Sequence, residues 1–144
     1  MKILTRDFGE VEVNEEDIFS FEEKIFGFED YTDFIMLYDD DFNGEYVWLQ
    51  SVEEPDLCFI AANPTLIPDY KPDFAKEAVK ALGKGKFEYW VLMVAKENIL
   101  DCTVNLKSPL IINLDTHKGM QLILEEKYPI RYYLFKPESG KEDK

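Results

Sequence analysis

At 144 residues, 46% of them hydrophobic and 15% aromatic, the chain has material for one folded domain and is not a disordered polymer. No apolar run approaches the roughly 20 residues that a membrane-crossing helix needs, and Met1 to Arg6 leads into polar sequence without a signal-peptide core, so a cytoplasmic protein is expected. The net charge of −14 is segregated: residues 1–56 hold 18 carboxylates against 3 cations, −15, and residues 57–144 hold 12 against 13, +1. A surface so polarised repels free nucleic acid and attracts proteins that bind it.

Lys2–Leu4 and residues 9–13 read as an opening hairpin, the second strand alternating Val11 and Val13 with Glu10 and Glu12. Residues 18–21 and 25–28 are short aromatic pieces around Gly27, which permits a turn. Residues 34–38 form the next apolar run, and Asn43-Gly44 suits a primed turn into a strand over residues 46–49. Residues 57–62 follow as a strand with two apolar faces, which belongs inside the fold. Between these two runs Glu53, Glu54, Pro55 and Asp56 continue neither strand nor helix and make a charged hairpin turn.

Residues 71–83 are the one convincing helix, with Asp73 as N-cap, Phe74, Ala78, Ala81 and Leu82 on one face, and Gly83 closing the end. It is expected to cover a barrel opening or a sheet edge. Residues 86–96 read as a long strand buried on both faces, though the run is also long enough for a helix. Strands over residues 103–106, 110–114, 120–125 and 130–135 complete the pattern, and the polar tail from Pro137 is expected to fray. Around ten strands, one short helix and no βαβ alternation predict an all-β, mainly antiparallel fold: a small barrel-like or sandwich domain over residues 1–136, with a flexible tail over 137–144.

The chemistry-bearing residues argue for binding rather than catalysis. Asp39, Asp41, Asn43 and Gly44 match the first positions of a calcium loop, but Gln50 stands where the bidentate Glu belongs, between strands rather than helices. His117 is the sole histidine and lies in a turn, which removes His pairs and most zinc sites. Cys58 and Cys102 sit in apolar runs as structural thiols, and there is no Gly-rich phosphate loop. No metal, cofactor or catalytic residue is therefore assigned. The polar residues Gln50, Asn63, Asn105 and Gln121 within apolar strands are either core amides serving backbone groups or parts of a binding surface. On these residues alone, an acidic domain with some basic partner and a carboxylate hydrolase with an unrecognised pocket both stay open.

A longer pattern narrows the choice: Gly27-Phe28, Trp48-Leu49-Gln50-Ser51, Asp56 with Phe59, Asn63-Pro64, Pro68-Asp69-Tyr70, Asn105-Leu106 with Pro109, and Gln121 with Tyr128 and Arg131. In order and spacing, from about Phe8 to Phe135, it resembles the FliW family of flagellar assembly factors. It departs at Asn63, where Asp is common, at Ser108, where Ala is common, and at Phe26, where Pro is frequent. The resemblance implies a non-catalytic cytoplasmic protein that binds flagellin before export and antagonises the RNA-binding translational regulator CsrA, without contacting membrane or nucleic acid itself. For partner binding the combined reading nominates Gln50, Glu53, Glu54, Asp56, Asp69, Tyr70, Asn105 and Leu106, with Glu53, Glu54 and Asp56 docking near basic CsrA and Tyr70, Leu106 and their surroundings forming an apolar groove for flagellin.

Overall fold

The computed structural model describes residues 1–23, 25, 27–38 and 44–135. The predicted tail at 137–144 and three members of the calcium-loop pattern, Asp39, Asp41 and Asn43, lie outside them. Within the described residues, eleven strands and one α-helix run in the order β1 (Lys2–Leu4), β2 (Glu10–Glu12), β3 (Phe19–Glu23), β4 (Asp33–Leu37), β5 (Tyr46–Ser51), β6 (Cys58–Ala62), α1 (Ala75–Leu82), β7 (Phe87–Val94), β8 (Thr103–Val104), β9 (Leu110–Asn113), β10 (Lys118–Gln121) and β11 (Tyr132–Tyr133).

The β3 to β10 portion closes on itself. Strand β7 pairs with β6 on one side and β9 on the other, so β7-β6-β5-β4-β3-β10-β9 form a seven-stranded barrel. Every pairing in the ring is antiparallel except β10 with β3, which is parallel. Strands β8 and β11 extend the sheet beyond β7, while β1 and β2 make a separate hairpin with Ile3 opposite Val11. The expected all-β fold with one short helix is therefore present, as a barrel.

Period-2 alternation decides which side chains fill it. Phe21, Phe34, Leu49, Leu110 and Ile112 point inward with Phe59 and Leu92, and beside them Val47, Ala61 and Trp90 pack on Met36. The void left among Phe21, Met36, Leu49 and Trp90 is only about 10 Å³, so side chains occupy the interior. Gly119 faces inward too, because a Cβ there would lie 2.6 Å from Phe21 Cζ; the phenyl ring takes the space.

Three outer layers cover alternate residues of the same strands. The first hairpin lays Ile3 and Val13 on Ile35 of β4. Helix α1 sets Ala78 and Leu82 against Ile111 of β9 and Met120 of β10. The segment around Ile67 and Tyr70 joins Leu106 and Leu124 over Ala62, Val91 and Val104. At about 25 cal/mol per Å² of apolar surface, each fully buried Leu or Ile in these layers contributes about 1.5–3 kcal/mol.

Several local expectations give way to tertiary context. Asp73 does not cap α1: Phe74 holds that position without a side-chain cap, and the Asp73 N–H instead donates to Glu126 Oε2 at 3.1 Å. Ala81 of the predicted apolar face is exposed, whereas Gly83 ends the helix as expected, at φ 81 with its N–H on Val79 O. Ile25 is buried outside any strand, and the last strand is only two residues long. His117 is half-buried in its turn, at φ 59, and stacks on Phe19 with ring centroids 4.8 Å apart.

Candidate partner surface

The connector between β5 and β6 is built from its buried root outward. Tyr46 pairs with Ala62 and Gln50 with Cys58, so the strands deliver residues 51–57 as one hairpin end. Gln50 is fully buried, and its Nε2 lies 3.1 to 3.3 Å from the carbonyl oxygens of Ser51, Glu54, Pro55 and Leu57. Its Oε1 accepts the Arg6 backbone N–H at 2.9 Å. Ser51, also fully buried, accepts the N–H groups of Glu53 and Glu54 on Oγ at 3.1 and 2.9 Å. Two neutral side chains thus satisfy the turn from within, and the carboxylates are left outside.

Those carboxylates differ in use. Glu53 is exposed, yet its Oε1 accepts the N–H groups of Thr32 and Asp33, both at 3.1 Å, which ties the turn to the start of β4. Glu54 is half-buried and accepts the Asp56 N–H on Oε2 at 3.2 Å; Asp56 itself is exposed. The described ion pairs join Met1 to Glu12, Lys2 to Glu10 and Arg6 to Asp7, so none neutralises Glu53, Glu54 or Asp56. Arg6, the nearby cation, turns its Nη1 to Cys58 O at 2.8 Å and its remaining donors to Asp7. Among the described residues, the result is a fixed turn whose negative charge no ion pair compensates.

The second nominated group has a different character. Tyr70 and Leu106 are buried, and Tyr70 OH donates to Leu106 O at 2.7 Å, a non-local clasp across the outer core. Burial pushes the Tyr70 hydroxyl far above its ordinary value, with the nearby Tyr128 next in effect, so it stays a neutral donor. Asn105 Oδ1 accepts the N–H groups of Lys107 and Ser108, both at 3.0 Å. Only Asp69 is exposed, at φ 62. Tyr70 and Leu106 therefore form no open groove; they belong to packing, because the strand order brings the 64–70 segment down onto β8.

Asn113, not singled out in the sequence, is the counterpart of Gln50 at another corner. Fully buried, it donates through Nδ2 toward the carbonyls of Leu82, Gly83 and Lys84 and accepts Asp115 and Thr116 N–H on Oδ1. Its signal is an amide at the end of the apolar run Leu110-Ile111-Ile112. Cys58 and Cys102 are free, buried thiols. Among the described residues no helix is long and apolar enough to cross a membrane.

A sequence model of the FliW protein family matches residues 2–134. The chain is 43% identical over 138 residues to the flagellar assembly factor FliW of Caldicellulosiruptor saccharolyticus, covering 92% of this chain and 90% of that one. It is 40% identical over 147 residues to that of Caldicellulosiruptor bescii, covering 99% and 95%. A crystal structure of the flagellar assembly factor FliW superposes with a TM-score of 0.86 at 29% identity, over 96% of this chain and 99% of that chain. With its barrel, its helix and nearly its whole length matched, the chain belongs to the FliW family of flagellar assembly factors.

Proposed function

We propose that this flagellar assembly factor acts in the cytoplasm as a non-catalytic binding domain over residues 1–136, holding unexported flagellin in one state and the translational regulator CsrA in the other. Free of flagellin, the domain antagonises CsrA; occupied by flagellin, it releases CsrA to repress flagellin synthesis. The observation that supports the CsrA arm is the braced acidic turn: Glu53, Glu54 and Asp56 have no neutralising ion pair among the described residues and stand on a rigid root.

Such a turn beside a basic RNA-binding protein raises the local negative potential within about a Debye length, roughly 8 Å at physiological salt, and disfavours phosphate contacts there. Gln50 serves by holding the turn, since its buried amide is out of a partner's reach. Direct titration of purified CsrA and of flagellin monomer tests the reading. It predicts saturable binding of both, with CsrA affinity falling as salt rises; binding of neither would remove it.

A further inference from the structure

We propose that the barrel end where β4 stops and β7 begins is a separate binding site, one that takes an arginine side chain from a basic protein segment. The inference goes beyond the function proposed above, since it needs neither the acidic turn nor the two partners named there. Strands β4 and β7 are not neighbours in the ring, yet Tyr38, which follows β4, and Trp90 of β7 bring their ring centroids to 6.4 Å. Glu88 Oε1 accepts the Trp90 Nε1–H at 2.7 Å, which fixes its carboxylate at the same mouth. His117, stacked on Phe19, is held there by its backbone: its N–H donates to Asn113 O at 2.9 Å and its carbonyl accepts the Ser20 N–H at 2.8 Å. Together with the first hairpin, where Val13 lies on Ile35, these groups line a cleft of about 310 Å³. That volume is at the lower end for small-ligand cavities and suits one long side chain.

The lining selects the occupant. Glu12 of β2, Asp17 and Glu88 reach the cleft from three separate elements, and among the described residues neither lysine nor arginine lines it. Of the three carboxylates only Glu12 has a described ion pair, with the Met1 amine at 3.8 Å; Asp17 accepts the Asn14 N–H at 3.3 Å. The walls between them are apolar, from Val11, Val13, Ile35 and Leu114. An occupant therefore needs an apolar stem and a cationic head, and carboxylates on three elements suit the five donors of a planar guanidinium better than the point charge of an ammonium. Its source is a chain rather than a free small cation, because Glu15 and Glu16, next to Asp17, are exposed and carry the negative surface beyond the cleft, where flanking cations of the same segment meet it. The cleft is also distinct from the acidic turn: from Asp33, whose N–H Glu53 holds, to Tyr38 the extended chain covers about 16 Å at about 3.3 Å per residue.

The test titrates the full chain with the capped peptide Lys-Gly-Arg-Gly-Lys and with its counterpart carrying citrulline, the neutral isostere, in place of arginine, and follows backbone amide shifts. Saturable shifts at residues 11–13, 17, 88 and 117 are expected with the arginine peptide, and at least tenfold weaker binding of the citrulline peptide. The pair D17N and E88Q keeps an acceptor for the Asn14 N–H and the Trp90 Nε1–H. It should weaken the arginine peptide at least tenfold at an unchanged melting temperature. Equal binding of the two peptides, unchanged affinity in D17N/E88Q, or shifts confined to residues 53–56 would overturn the proposal. A free alkylguanidinium that binds as tightly as the arginine peptide would give the cleft to a small cation, and a dimer that dissociates on D17N/E88Q substitution would give it to a second copy; either result overturns it as well. None of these readouts uses CsrA or flagellin, so the failure of this site and the failure of the function proposed above are told apart.

Discussion

The Arg6 backbone N–H donates to Gln50 Oε1 at 2.9 Å, across 44 residues of sequence, so the turn of the first hairpin is fastened to the root of the acidic connector. One amide therefore serves two loops. Replacing Gln50 with Leu keeps the volume but leaves the Arg6 N–H and the connector carbonyls without their partner in a buried place. A loss of about 2–3 kcal/mol in urea unfolding is expected. A loss below about 0.5 kcal/mol would mean that water replaces the amide.

Gly119 is required by packing. Gly119→Ala puts a methyl 2.6 Å from Phe21 Cζ, inside a barrel with almost no spare volume. The expected cost is about 1–3 kcal/mol. Phe21→Leu, made in the same background, should recover part of it, so a double-mutant cycle reads a coupling between the two positions.

The fold also carries an alkaline weakness. Burial pushes the Cys58 thiol from 9.0 up to about 11, so the unfolded thiol ionises before the folded one. The stability this group contributes is whole below pH 9 and is lost as pH rises to about 11. Unfolding free energy should accordingly fall across that window, and Cys58→Ala should flatten the early part of the decline relative to its own value at pH 8.

Asn113→Ala should cost about 2–3 kcal/mol, because the carbonyls at the end of α1 and the Asp115 and Thr116 N–H groups lose one shared partner. Amide exchange is the sharper readout: protection should drop in α1 and at residues 113–116 before it drops in the barrel strands.

Asn113 also marks where the sequence stops being legible. Strands such as β5, β6 and β7 were readable because alternation and β-branched or aromatic content are local properties. The hairpin turn at Glu53 to Asp56 was readable for the same reason. What closes the barrel was not: the pairing of β7 with β9 and the parallel pairing of β10 with β3 join distant segments, and no local pattern encodes them. An aromatic and a leucine beside polar residues, such as Tyr70 and Leu106, look alike in sequence whether they face a partner or a core. Only the arrival of the 64–70 segment on β8 decides between these, and it buries them. Asp73 missed its capping role for a similar reason, since the turn before α1 is held by Glu126.

The acidic turn yields a salt-dependent prediction of its own. Glu53→Lys, Glu54→Lys and Asp56→Lys together should weaken CsrA binding and flatten its dependence on ionic strength, both at once. Glu53 needs a control, because it also holds Thr32 and Asp33 N–H. Glu53→Gln keeps an acceptor there and should leave stability within about 0.5 kcal/mol of the parent. Unchanged CsrA affinity in the triple variant would remove the turn from the interface.

In the function proposed above, one domain links two partners by being unable to serve both equally. That exclusivity is read by titrating CsrA into the chain alone and into the chain saturated with flagellin. Saturation is expected to weaken CsrA binding at least tenfold, a coupling of about 1.4 kcal/mol or more, with the same factor appearing when the order is reversed. Equal CsrA affinity in the presence and absence of flagellin would contradict it.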